Sequence, residues 1–144
     1  MIRKKTVICL LILCLLTAAC GGSSTDTGKT PGVDVDLSVL SGTVVYGKVN
    51  DMVTHGIAYQ DQIVRMEGLV STIPVMQKGK QVDTLYSCVI LDATKCCSQG
   101  IEFVLKEGSY PAIGDEIVIQ GRWENYKLYG IDRYRLVDAV IIKK

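Results

Sequence analysis

The chain has 144 residues, enough for one domain and extensions. Its 48% apolar share is inflated by the first segment, and Arg3, Lys4 and Lys5 all precede the first acid, Asp26. Without residues 1–19 it holds 13 basic and 15 acidic residues, a net charge of −2, which excludes the concentrated basic face of a nucleic-acid binder.

The N-terminus reads as an export signal. Arg3, Lys4 and Lys5 form a charged start, followed by an almost wholly apolar run from Thr6 to Ala19. A bilayer-spanning helix needs about 20 apolar residues. This run is shorter and closes on small residues, the pattern of a cleaved signal. Its end, Leu16-Thr17-Ala18-Ala19-Cys20, resembles a lipobox, matching at Ala18, Ala19 and Cys20 and departing at Thr17, where that family most often has Leu. The resemblance implies acylation of the Cys20 thiol, removal of residues 1–19, and a lipoprotein on the extracytoplasmic face of the cell membrane. Cys9 and Cys14 then leave with the signal. Acyl chains contribute about 0.8 kcal/mol per buried methylene, so two or three of them anchor a domain firmly.

Residues 20–36 comprise the lipidated Cys and a flexible tether. Gly21 to Asp36 is rich in Gly, Ser and Thr and poor in apolar residues, so it lacks the material for a core. The domain is expected over 37–144, large enough for one modest core.

From Thr43 onward the apolar spacing is mostly two. Thr43–Val49 is β-branched and reads as a strand. Asn50–Tyr59 is the best helix candidate, capped by Asn50 or Asp51 and weakened by Gly56. Gln62–Ser71 alternates as a strand, and Pro74 with Gln77–Gln81 marks a loop. Thr84–Leu91, Ile101–Leu105 and Glu116–Trp123 follow as strands. Leu128–Gly130 and Tyr134–Ile142 complete the set. Interior glycines Gly68 and Gly121 each follow alternating apolar residues, as at a bulge or bend. Strands at regular spacing with almost no helix predict an all-β domain, a small barrel or sandwich.

Two stretches carry a fold resemblance. Gln62–Gly68 resembles the first strand of OB-fold domains, and Gly114–Trp123 their fourth. The resemblance implies a five-stranded OB-like barrel with at most one short helix; between Lys106 and Gly114 a loop replaces the usual helix. Tyr86–Phe103, with its Asp-Ala-Thr, Cys-Cys and Gly-Ile-Glu-Phe run, is similar to small OB-fold lipoproteins of Gram-positive bacteria. That similarity covers most of residues 45–142 and implies a fold and a location without an activity.

With Cys20 acylated, Cys88, Cys96 and Cys97 remain, an odd number that cannot all pair within one molecule. Three readings stay open. The thiols form a site for zinc or copper(I), with Asp92 or His55 as a fourth ligand. Cys88 forms a disulfide with Cys96 or Cys97. Or the thiols are free, Cys packing as a small hydrophobe. Thiol redox catalysis lacks a C-x-x-C and an evident base.

No catalytic set emerges. His55 is the only histidine and sits near a helix end, where a solvated role is commonest. No Gly-rich phosphate loop is present, and Gly21-Gly22 belongs to the tether. Phe103 and Trp123 are expected in the core. Tyr86 and Tyr134 fall in or beside strands, and Tyr126 and Tyr129 rim a hairpin that, with Arg122, Arg133 and Arg135, is suited to a protein or glycan partner. The expected function is non-enzymatic: a lipid-anchored binding module with metal ligands Cys88, Cys96 and Cys97. The alternative is a protein- or glycan-interaction barrel whose cysteines are structural.

Overall fold

A computed structural model describes residues 30–143. The signal over 1–19, Cys20 and most of the tether lie outside the described residues. The folded part begins within the stretch expected as tether. Val33 is buried, Val35–Asp36 form strand β1, and the Thr30 hydroxyl donates to Asp36 at 2.5 Å.

After β1 come a helix α1 (Gly42–Thr54) and a 3-10 turn (Gly56–Tyr59). Five long strands follow: β2 (Ile63–Gln77), β3 (Lys80–Leu91), β4 (Ser98–Leu105), β5 (Glu116–Leu128) and β6 (Ile131–Lys143). The sheet order is β1-β2-β3-β4-β6-β5, with a further pairing between β2 and β5. The pairs β1–β2 and β4–β6 are parallel and the others antiparallel. The expected five-stranded OB-like barrel with at most one short helix is thereby corrected to a six-stranded mixed sheet with a 13-residue helix ahead of its long strands. The sixth strand is the two-residue β1, laid on Val64 and Arg65 of β2. It was illegible because polar Asp34 and Asp36 flank its one valine.

The helix also corrects the reading of Thr43–Val49 as a strand. Its β-branched valines favour strands intrinsically, but Val45, Val49 and Met52 are buried at spacings of four and three, which is helical. Packing that stripe on β3 and β4 overrides a propensity difference of only tenths of a kcal/mol per residue, ~0.5 at most. Asn50 Oδ1 accepts a bond from Gln99 Nε2 of β4 at 2.9 Å, fixing the helix over that strand.

In the strands, alternation decides which side chains turn inward. Val64, Met66 and Val70 of β2, Cys88 and Ile90 of β3, and Ile101 and Phe103 of β4 join Ile117, Ile119 and Trp123 of β5 in one core. Trp123 is fully buried, donates Nε1–H to the Gly56 carbonyl at 2.8 Å, and stacks on Tyr134 at 5.6 Å. Gly68 lies where β2 passes from β5 to β3; a Cβ there would sit 2.6 Å from the Val89 carbonyl oxygen. Gly121 marks a register shift between β5 and β6.

Two turns differ from expectation. Pro74 lies inside β2, opposite Thr84, in the half of β2 that pairs with β3 alone. There its missing N–H leaves no second neighbour unserved. Tyr129-Gly130, read as strand, is instead a two-residue hairpin turn with φ of 51° and 84°. Both residues are left-handed, as in a type I′ turn, and Lys78-Gly79 repeats the form.

Candidate metal centre

Among the described residues, the connection from β3 to β4, residues 92–97, brings together side chains that could share a metal ion, Asp92, Cys96 and Cys97. Its base closes through the Asp92 amide, which donates to the Cys97 carbonyl at 3.0 Å. Inside, the Lys95 amide donates to the Asp92 carbonyl at 3.0 Å, and Lys95 takes a left-handed φ of 58°. The chain therefore turns sharply enough to bring Cys96 and Cys97 back over Asp92.

Asp92 organises the loop. Its Oδ1 accepts the amides of Cys96 at 3.0 Å and Cys97 at 3.4 Å. Its Oδ2 lies 2.9 Å from the Thr94 hydroxyl and accepts the Cys96 thiol at 3.2 Å. Thr94 Oγ1 is also 3.0 Å from Cys96 Sγ. The Cys96 thiol, then Thr94 and the two amides, hold the Asp92 carboxyl below its usual range, so it is ionised near neutral pH. The Cys97 thiol is pushed up, first by its hydrogen bond with Cys96, then by desolvation and the Asp92 charge.

The two sulfurs are 3.4 Å apart, and one ligand atom each from Asp92, Cys96 and Cys97 lies within 4.8 Å of the others. Zinc bonds thiolate sulfur at about 2.3 Å and carboxylate oxygen at about 2.0–2.2 Å in a tetrahedron, whose ligand edges are thus about 3.5–3.8 Å. Two of the edges, 3.2 and 3.4 Å, approach that size, and the third lies within 4.8 Å. Both cysteines are exposed. Metal ligation requires thiolates, so a metal held here would have to displace the thiol protons.

Cys88 does not join this cluster, which corrects the set Cys88, Cys96 and Cys97. It is fully buried in β3, and burial followed by the charge of Glu67 pushes its thiol up to about 12. Strand parity explains this: Cys88 points inward with Ile90, while the two other cysteines lie beyond the strand end. All three are free thiols, so neither disulfide considered for Cys88 is formed. His55 is likewise elsewhere. Its Nδ1 lies 2.9 Å from Asp51, which also accepts the Tyr59 hydroxyl, in a clasp joining α1 to the 3-10 turn. Of the two suggested fourth ligands, Asp92 is the one that meets the cysteines.

The tyrosine and arginine rim is largely tied up internally. Glu102, 8% exposed, accepts Tyr126 and Arg133, the latter's Nε at 2.7 Å. Burial and then the Glu102 bond raise the Tyr126 hydroxyl to about 12. Arg135 bonds Glu124 at 2.8 Å and lies 4.2 Å over the Tyr126 ring. Arg122 pairs with Asp61 and Asp138. Phe103 and Trp123 are core residues as expected, and Tyr86 stacks on Tyr110 at 4.0 Å. Tyr129 and Ile131 are 61% and 65% exposed and line a cavity of about 180 Å³ with Ile73 and Met76 between two hairpin tips. Pairing beyond a side chain's own strand has no local sequence signal, so the Glu102 network escaped the sequence reading.

Among the described residues no helix is long and apolar enough to cross a membrane. No family model matches the chain, and neither a curated protein nor a solved structure is significantly similar to it.

Proposed function

We propose that this domain is a membrane-anchored, extracytoplasmic binding module that takes zinc at Asp92, Cys96 and Cys97. The observation that carries the metal reading is the convergence of those three ligand atoms within 4.8 Å. The hard Asp92 oxygen favours zinc over copper(I), which prefers an all-sulfur set. Three protein ligands, with both cysteines exposed, favour an exchangeable ion over a closed structural one. Anchoring rests on the lipobox-like Leu16–Cys20 and the short tether. The module acts by binding, without turnover.

The test uses the full chain in detergent, purified anaerobically without chelator. One zinc per chain is expected by mass spectrometry, lost in Cys97→Ser and retained in Cys88→Ala. Equal zinc in Cys97→Ser overturns the site. For the anchor, Cys20→Ala should abolish acyl labelling, and continued labelling overturns it.

A second reading, a protein- or glycan-interaction domain, is favoured by Tyr129 and Ile131 beside the cavity at the hairpin tips. Tyr126 and Arg133, engaged by Glu102, serve it less well than the sequence implied.

A further inference from the structure

Cys96 and Cys97 share a property that zinc ligation does not use. Their sulfurs are 3.4 Å apart, both residues are exposed, and both thiols are free. Their amides donate to the Asp92 side chain instead of to a neighbouring strand, and β4 begins only at Ser98. The peptide between them can therefore turn without breaking a strand ladder. Cys88, fully buried, is withheld from any external sulfur reagent.

We propose that Cys96 and Cys97 form a thiol–disulfide exchange site for low-molecular-weight disulfides, and that closing their mutual disulfide ejects the metal held with Asp92. The ejection step rests on the zinc reading above. In the first step one thiolate of the pair attacks a disulfide RS–SR. A protein–SR bond forms, the S–S bond breaks, and RS⁻ leaves. In the second, the neighbouring thiolate attacks the protein sulfur of that mixed disulfide. The Cys96–Cys97 bond forms and the second RS⁻ leaves. Two electrons pass from the pair to the reagent, which becomes two thiols. The pair gives up its two thiol protons, or the metal ion when one is bound. Closure removes two of the three ligands and leaves Asp92 alone.

Adjacent Cα atoms are about 3.8 Å apart, below the roughly 4.4 Å at which ordinary disulfides begin. The closed pair is consequently strained, and strained, exposed disulfides are the readily reduced ones. Closure is thus reversible, and the reduced pair takes metal again.

The experiment treats the full chain, reduced and zinc-loaded in detergent, with oxidised glutathione, then alkylates and digests it with trypsin. Cleavage after Lys95 and Lys106 puts Cys96 and Cys97 on one peptide, while Cys88 falls on the peptide Gln81–Lys95. The expected result is a Cys96–Lys106 peptide lighter by two hydrogens and closed to alkylation, with zinc released in step. Zinc affinity should fall by about 100-fold or more on losing two direct ligands and return on adding dithiothreitol. Cys88→Ala should close and release identically. A peptide that stays reduced, stops at the glutathione adduct, or cross-links to Cys88 overturns the exchange site, even where zinc binds. Closure with zinc retained overturns the ejection step. A reduced chain that binds no zinc overturns the metal reading and the ejection step, while closure is still scored separately on the same peptide.

Discussion

Cys88 and Cys96 are eight positions apart in the chain and differ in nearly every chemical respect. Cys88 packs in the core beside the Gly68 backbone, its proton held to about 12. Cys96 lies in an exposed turn, its thiol bonded to an ionised carboxylate and its sulfur against a second thiol. The same functional group is thus a packing element in one setting and, in the other, an exposed donor set beside a carboxylate and a second thiol. Burial strips water from the thiolate and leaves the neutral form as filler. The loop keeps water and supplies hydrogen bonds that orient the sulfurs.

The contrast can be broken most forcefully on its core side. Trp123→Ala removes the largest buried ring, its bond to Gly56 and its stacking on Tyr134, and should destabilise the fold by about 3–5 kcal/mol in chemical denaturation. Zinc binding should vanish only where unfolding begins. On the loop side Cys97→Ser should do the reverse. Unfolding free energy should stay within ~0.5 kcal/mol, since the residue is exposed, while zinc affinity by competition titration drops about 100-fold. A comparable loss of stability would show that the loop supports the core and is not an independent site.

Alkaline pH sharpens the same difference. The folded chain holds the Cys88 proton to about 12, whereas the unfolded thiol titrates near 9.0. Above the lower value the folded state binds more protons, so stability must fall as pH rises, by about 1.4 kcal/mol per unit at most. Tyr126 shifts in the same direction. The steeper fall of wild type relative to Cys88→Ala between pH 9 and 11 isolates the cysteine, and parallel curves would place its thiol in water. Thr94→Ala should act more gently. It removes the hydroxyl beside Asp92 Oδ2 and Cys96 Sγ and should weaken zinc about 10-fold with folding intact. Smallest of all, Tyr129→Ala should change stability by less than ~0.5 kcal/mol, because that ring projects from a turn.

Much of the sheet was legible. Gln62–Ser71 but for its first residue, and Thr84–Leu91, Ile101–Leu105 and Glu116–Trp123 entirely, fall inside observed strands, because a half-buried strand writes its two faces into alternate positions. Gly68 and Gly121 were legible as special points because a strand interior seldom spends a glycine without a steric reason. The helix was misplaced because Val44, Val45 and Val49 suit either conformation in isolation. The candidate cluster was half legible: Cys96 and Cys97 declared themselves, whereas Asp92 was only one of two candidates and Cys88 stood in its place.

The sequence by itself determined the strand periodicity, the Lys78-Gly79 turn and the thiols on offer, since these depend on neighbours a few residues apart. Tertiary structure alone decided that Thr43–Val49 is helical, that β1 adds to β2, that Glu102 gathers Tyr126 and Arg133, and that Asp92 rather than Cys88 meets Cys96 and Cys97. Each of those outcomes turns on which face of a segment is covered by residues far along the chain, and local pattern does not encode that.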